Sequence, residues 1–198
     1  PDDITTSCPS GNPPEFLGHD DECVLHTTNY AGTDHIGRSI CLDAGDPYTG
    51  GAGNAWVGTY NRPGNNRFYK IDGTDGGIVD TVDLPSGINV YGCAVDGQGI
   101  LWAAELSGGD LAYFNTADTT QIGPILSSPY GGFYGIAVDQ DSSVWLAGWG
   151  TRNVIRYRPD RTTFSSLANG LWTRIRTVEE GNVANTRGIA ADLRGWVW

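Results

Sequence analysis

Methionine is absent from this chain, lysine occurs once, at Lys70, and no apolar run approaches the ~20 residues that a membrane-spanning helix needs. Positive charge is scarce throughout: 12 Lys and Arg stand against 23 Asp and Glu, for a formal charge of -11. Such a chain repels phosphate backbones and anionic headgroups, and its arginines are scattered without a basic run, which excludes nucleic acid as a partner. The cysteines show no Cys-x-x-Cys spacing, which removes zinc ribbons and thioredoxin-like pairs. Missing too are a Gly-x-Ser-x-Gly elbow, a P-loop and a dinucleotide fingerprint; Gly73, Gly76 and Gly77 cluster outside any strand-to-helix context. Apolar residues nowhere follow a helical period, so coiled coils and amphipathic membrane helices are excluded.

What the chain has is glycine, 29 residues, with 7 Trp and 9 Tyr. Glycine supplies turns and aromatics suit pleated, half-buried surfaces, so the composition predicts an all-β fold. A repeat then organises it. Gly92-Cys93-Ala94-Val95-Asp96 with Trp102 recurs as Gly135-Ile136-Ala137-Val138-Asp139 with Trp145, and as Gly188-Ile189-Ala190-Ala191-Asp192 with Trp198. A degenerate first copy runs Ser39-Ile40-Cys41-Leu42-Asp43, then Trp56 after a Gly-rich insertion. The aspartates at 43, 96, 139 and 192 are 53, 43 and 53 residues apart. That spacing brackets the ~40 to 50 residues of a four-stranded propeller blade.

Each copy reads as a hairpin: a short apolar strand ends at Asp, a polar turn follows, and a second strand carries Trp. Third strands are predicted at 67–72, 111–115 and 154–159, and weaker fourth strands at 81–84, 121–125 and 162–165. The expected architecture is a β-propeller of four-stranded antiparallel blades, at 38–86, 87–128, 129–183 and, in part, 184–198. Residues 1–37 are expected to be a Cys-containing insertion or inter-blade loop. A meander cannot bury both faces alone, so blades must stack radially, with Trp filling the layer between them. Because the fourth copy stops at Trp198, the chain is expected to be part of a larger propeller whose other blades are its partners.

Cys8 and Cys23 flank a stretch with Gly11, Pro13 and Pro14 and no apolar periodicity, so a disulfide is expected to staple it. An oxidising compartment follows: extracellular, periplasmic or cell-surface. For Cys41 and Cys93, disulfides and buried thiols both stay open.

The run Gly135-Ile136-Ala137-Val138-Asp139 with Val144-Trp145-Leu146, followed by Asn153-Val154-Ile155-Arg156-Tyr157, resembles the repeats of the streptogramin lyase (virginiamycin B lyase)-like propellers over residues 38–198. The segment Asp20-Asp21-Glu22-Cys23-Val24-Leu25-His26 also looks like an acidic insertion in uncharacterised secreted propeller proteins of myxobacteria. The lyase resemblance implies the fold. It also implies a carbon-oxygen lyase that opens a cyclic depsipeptide with a histidine base, a glutamate and magnesium. Those residues do not carry over, because His19, His26 and His35 all precede the first blade copy, whereas the family's catalytic histidines lie in later blades. Glu105 matches a glutamate common after the family's blade tryptophan, a repeat feature that does not by itself make a site.

Asp20, Asp21, Glu22 and His26, with His19, are the densest set of potential metal ligands, but their spacing fits no standard site and a solvated, stapled loop is the expected state. No cofactor is therefore expected; in the lyase reading a divalent cation such as Mg2+ or Ca2+ would serve. Asp43, Asp96, Asp139 and Asp192 share one slot with Trp56, Trp102, Trp145 and Trp198, where a carboxylate caps the following turn. Tyr91, Tyr130, Phe133, Tyr134 and Trp149 fall at strand entries or exits, the channel ends of a propeller, and are the candidate ligand contacts. Arg152, Arg156 and Arg158 share a strand face and are expected to pair with nearby carboxylates. The function expected is a binding or scaffold module for a glycan, peptide or protein, with a lyase acting on a cyclic depsipeptide or lactone as the alternative.

Overall fold

The computed structural model describes residues 27–30, 36–43, 53–176, 186–192 and 194–198. It is an all-β chain of three four-stranded antiparallel sheets, each a meander in sequence order. The first sheet holds β1 (Ile36–Leu42), β2 (Asn54–Tyr60), β3 (Arg67–Asp72) and β4 (Ile78–Asp83). The second holds β5 (Val90–Val95), β6 (Ile100–Glu105), β7 (Asp110–Asn115) and β8 (Leu126–Ser127). The third holds β9 (Phe133–Val138), β10 (Val144–Gly148), β11 (Asn153–Arg158) and β12 (Leu171–Arg176). The sheets are successive blades of a β-propeller, with the first strands β1, β5 and β9 side by side. The Cys8 and Cys23 staple and the ligand set Asp20, Asp21, Glu22 and His26 lie outside the described residues.

Burial follows from this stacking. The middle blade is covered on both faces, so all six residues of β6 are buried. Leu101 and Ala103 face a core shared with Trp56, Phe68 and Val82 of the first blade. Trp102 and Ala104 face the opposite core, shared with Phe133, Leu146 and Tyr157 of the third. Trp56 and Trp102 thus fill the two complete inter-blade layers and are fully buried. Each burial removes roughly 150–250 Å² from water, worth roughly 4–6 kcal/mol at ~25 cal/mol per Å². Trp145, on the far side of the third blade, is only half-buried. Trp198 is 76% exposed, and Ile40 and Leu42 of β1, on the face away from the second blade, are 68% and 69% exposed.

The repeated aspartate builds one turn four times. In the middle copies its Oδ1 accepts the amide four residues on, Ile100 to Asp96 at 3.0 Å and Ser143 to Asp139 at 2.8 Å. Trp196 does the same to Asp192 at 2.9 Å, and Asn54, across a longer insertion, to Asp43 at 2.6 Å. Oδ2 accepts the indole N–H of the blade tryptophan in three copies: Trp56 to Asp43, Trp102 to Asp96 and Trp145 to Asp139, at 3.1, 2.8 and 2.7 Å. The carboxylate therefore ties the turn to the inter-blade layer, a second task the sequence pattern does not reveal.

Cys41 on β1 and Cys93 on β5 form a disulfide, with Cα atoms 5.8 Å apart. It joins the innermost strands of two blades, and a structural disulfide belongs to an oxidising environment.

The outer strands depart from expectation in two blades. Residues 162–165 are not a strand: Thr162 turns back to Asp160, whose Oδ1 accepts both its amide and its hydroxyl, and Thr163 and Ser166 bond each other locally. Short hydroxyl side chains here offer the backbone an alternative to a ladder. The strand forms instead at β12, after a 3-10 turn at Ser165–Asn169, where it pairs fully with β11. In the second blade, 121–125 supplies only a bridge between Phe114 and Ile122, and β8 follows at Leu126–Ser127. Pro124 has no amide to give a ladder.

Candidate functional site

The residue immediately before each repeat copy is Arg38, Tyr91, Tyr134 or Arg187 in chain order. Arg38, Tyr91 and Tyr134 lie within the first three residues of β1, β5 and β9, Arg187 holds the equivalent place in the fourth copy, and the stacking of blades brings all four to one cavity of about 480 Å³. Close approach of the inner strands makes this possible. A Cβ on Gly135 would lie 2.4 Å from the carbonyl oxygen of Arg187, and one on Gly92 would lie 3.4 Å from that of Tyr134. The leading glycine thus faces the backbone of the next copy in the same register at both junctions, and at Gly135 the contact leaves no room for a side chain.

Aromatic rings continue from the cavity into a row. Tyr60 at the end of β2 meets Tyr91 edge-on at 5.7 Å between centroids. Tyr91 meets Tyr134 at 4.7 Å, their hydroxyls 3.3 Å apart. Tyr134 stacks on Trp149, just past β10, at 5.2 Å. Two guanidiniums rest on this row: Arg38 lies 4.2 Å above the Tyr91 ring, and Arg187 lies 5.9 Å from Tyr134 and 5.6 Å from Trp149. Cation–π contacts of this kind hold an arginine in place while leaving its N–H edge free to bind.

Of the five aromatics singled out in the sequence, Tyr91, Tyr134 and Trp149 come together here. Phe133 does not; it alternates to the other face of β9, is fully buried and stacks on Trp172 at 6.1 Å. Tyr130 stands apart, carrying Arg174 at 5.4 Å. Tyr60, Arg38 and Arg187 were not singled out. The signal for the two arginines lies one position upstream of the repeat, in the column that also holds Tyr91 and Tyr134.

Glu105 does not line this cavity. At the end of β6 it is buried, and its Oε2 has no hydrogen-bond partner. Burial, with Asp110 beside it, pushes its carboxyl above the usual range against a smaller opposing pull from the amides of Asp110, Gly108 and Asn89. Among the described residues no three His, Cys, Asp or Glu side chains gather in a way that would hold a metal ion. Of the arginines expected to pair with carboxylates, Arg156 instead donates to the Ser143 hydroxyl at 2.8 Å and lies over Trp145. His19, His26 and His35 lie outside the described residues. No helix among the described residues is long and apolar enough to cross a membrane.

No family model matches the chain, and no curated protein matches it. Solved structures do. A catalytically inactive virginiamycin B lyase from Staphylococcus aureus, solved with quinupristin, superposes with a TM-score of 0.63 at 16% identity, over 86% of this chain and 50% of that one. A streptogramin B lyase superposes at 0.62 with 13% identity, over 86% and 49%. The β-propeller domain of Myceliophteria thermophila Cps50 (Swd1) superposes at 0.53 with 10% identity, over 79% and 45%. The chain thus shares the propeller fold of these proteins and spans about half their length.

Proposed function

We propose that this chain is a binding module of a secreted or surface-exposed protein, which contacts a glycan, peptide or protein at the cavity formed by its inner strands. The observation that carries the reading is the column Arg38, Tyr91, Tyr134 and Arg187, one residue from each repeat copy at one cavity. Core packing does not require it, because Arg38 and Arg187 are exposed and the tyrosines half-buried. The cavity volume falls within the roughly 300–1,000 Å³ of small-ligand sites. Tyr91, Tyr134 and Trp149 are the ligand contacts in this reading, and extracellular, periplasmic or cell-surface placement agrees with the Cys41–Cys93 bridge. Ile40 and Leu42 on the open face of β1, with Trp196 and Trp198, are the surface that further blades of the same propeller would cover. The test is a screen of the full chain on glycan and peptide arrays, followed by Tyr134→Ala. The reading predicts a ligand whose binding is lost in that variant, and fails if every ligand found binds the variant equally.

A second reading, an enzyme opening a cyclic depsipeptide or lactone with a divalent cation, draws on the likeness of fold to the streptogramin lyases. Ring opening of such a substrate, dependent on added Mg2+, would establish it.

A further inference from the structure

We propose that this cavity recognises carboxylate groups on an acidic saccharide, with Arg38 and Arg187 as the two anion-binding groups; the inference rests on the reading of the inner-strand cavity as a ligand site. In a chain of charge -11, the described residues that line the cavity include two guanidiniums and no carboxylate. Elsewhere Arg67 and Arg161 are drawn into ion pairs, with Asp83 at 2.6 Å and with Asp96 at 2.7 Å, while Arg156 and Arg174 also rest on aromatic rings. Neither Arg38 nor Arg187 has such a pair with any described residue; each rests on aromatic faces instead.

That arrangement settles what the rings do. A neutral sugar stacks on a bare aromatic face, but the rings of Tyr91 and Tyr134 already carry guanidiniums. The rings fix the arginines, and each guanidinium presents paired N–H donors in the fork geometry that matches a carboxylate. Between them, the two tyrosine hydroxyls, 3.3 Å apart, offer donors and acceptors suited to ring hydroxyls beside a carboxylate. An extended acidic peptide fits less well. Strand addition, which would give such a peptide its main-chain bonds, has no open edge at the inner strands, where Gly135 abuts the backbone of the next copy.

The experiment is calorimetric titration of the full chain with tetragalacturonate, neutral maltotetraose and hexaglutamate, repeated for Arg38→Gln, Arg187→Gln and Tyr134→Ala. Both arginines are exposed, so their variants are expected to fold, with thermal unfolding as the control. The inference predicts binding of tetragalacturonate, weakened about tenfold to a hundredfold by either arginine variant, the worth of a charge-assisted hydrogen bond. It also predicts no comparable binding of maltotetraose. Equal binding of both sugars, lost in Tyr134→Ala but unchanged in the arginine variants, overturns the anion inference and leaves the cavity as a glycan site. Binding of hexaglutamate alone overturns the saccharide class. Binding of tetragalacturonate that survives all three substitutions overturns the site itself.

Discussion

The indole N–H of Trp102 and the guanidinium of Arg161 converge on the same oxygen, Oδ2 of Asp96, at 2.8 and 2.7 Å. Trp102 belongs to the same blade as Asp96, whereas Arg161 follows β11 in the next, so one buried carboxylate joins turn, tryptophan and neighbouring blade. Arg161 also donates to the carbonyl of Ser142, in the equivalent turn of its own blade, at 2.7 Å. Asp96→Ala is therefore expected to destabilise the chain by about 2–4 kcal/mol, since it removes the turn cap and leaves the part-buried Arg161 without its carboxylate. Asp192 caps the same turn with neither an indole bond nor an ion pair to a described residue, and Asp192→Ala is expected to cost about 1 kcal/mol. Urea unfolding of the two variants, compared with the parent, measures the difference.

The Cys41–Cys93 bridge closes a loop of 52 residues that spans the whole outer part of the first blade. Chain entropy alone assigns about 4 kcal/mol to closing a loop of that length. The double variant Cys41→Ser with Cys93→Ser should unfold at a correspondingly lower denaturant concentration, and dithiothreitol should bring the parent to the same midpoint. A midpoint that dithiothreitol leaves unchanged would argue that the bridge does not form in solution.

The blade repeat was legible because two residue types with separate jobs, a turn-capping Asp and a layer-filling Trp, recur at fixed spacing. Glycine was legible as part of the motif but not in its role, since Gly135 is dictated by the carbonyl of Arg187, 52 positions away in the next copy. The disulfide was not legible for the same reason: Cys41 and Cys93 occupy unlike slots in their own repeats and meet only because β1 and β5 are neighbours. Among the aromatics, strand alternation decided the outcome. Tyr134 lines the cavity and Phe133, its neighbour in sequence, points into the core. The fourth strand of the third blade was expected too early, at 162–165, where hydroxyl side chains around Asp160 outcompete ladder pairing.

Glu105 makes stability depend on pH in a known direction. Its folded-state carboxyl titrates above the unfolded one, chiefly because burial disfavours the anion and secondarily because Asp110 is near. The folded state therefore holds its proton more tightly than the unfolded state does. The contribution is fully present below the ordinary glutamate range and is lost as pH rises through the folded value. Glu105→Gln, which removes the charge while keeping the shape, should be more stable than the parent at neutral pH, and the advantage should vanish at acid pH. Thermal unfolding of both proteins across that range is the measurement, and a constant difference would show that the carboxylate's charge is not the cause.

The junction between the third blade and residues 186–190 hangs on the absence of one methyl group. A Cβ on Gly135 would sit 2.4 Å from the carbonyl oxygen of Arg187 and 3.3 Å from the amide nitrogen of Ile189, both backbone atoms that cannot rotate away. Gly188, in the same slot of the next copy, has nothing within 4 Å of the equivalent point. Gly135→Ala should therefore push the fourth copy off the third blade at a cost of about 1–3 kcal/mol, the usual penalty of overpacking, whereas Gly188→Ala should be near neutral. Hydrogen exchange reads this locally. The Ala190 and Trp198 amides, which bond each other's carbonyls at 3.0 and 2.9 Å, should lose protection in Gly135→Ala alone. Because Gly135 itself, Arg187 and Tyr134 all line the cavity, the same variant should also disturb whatever binds there.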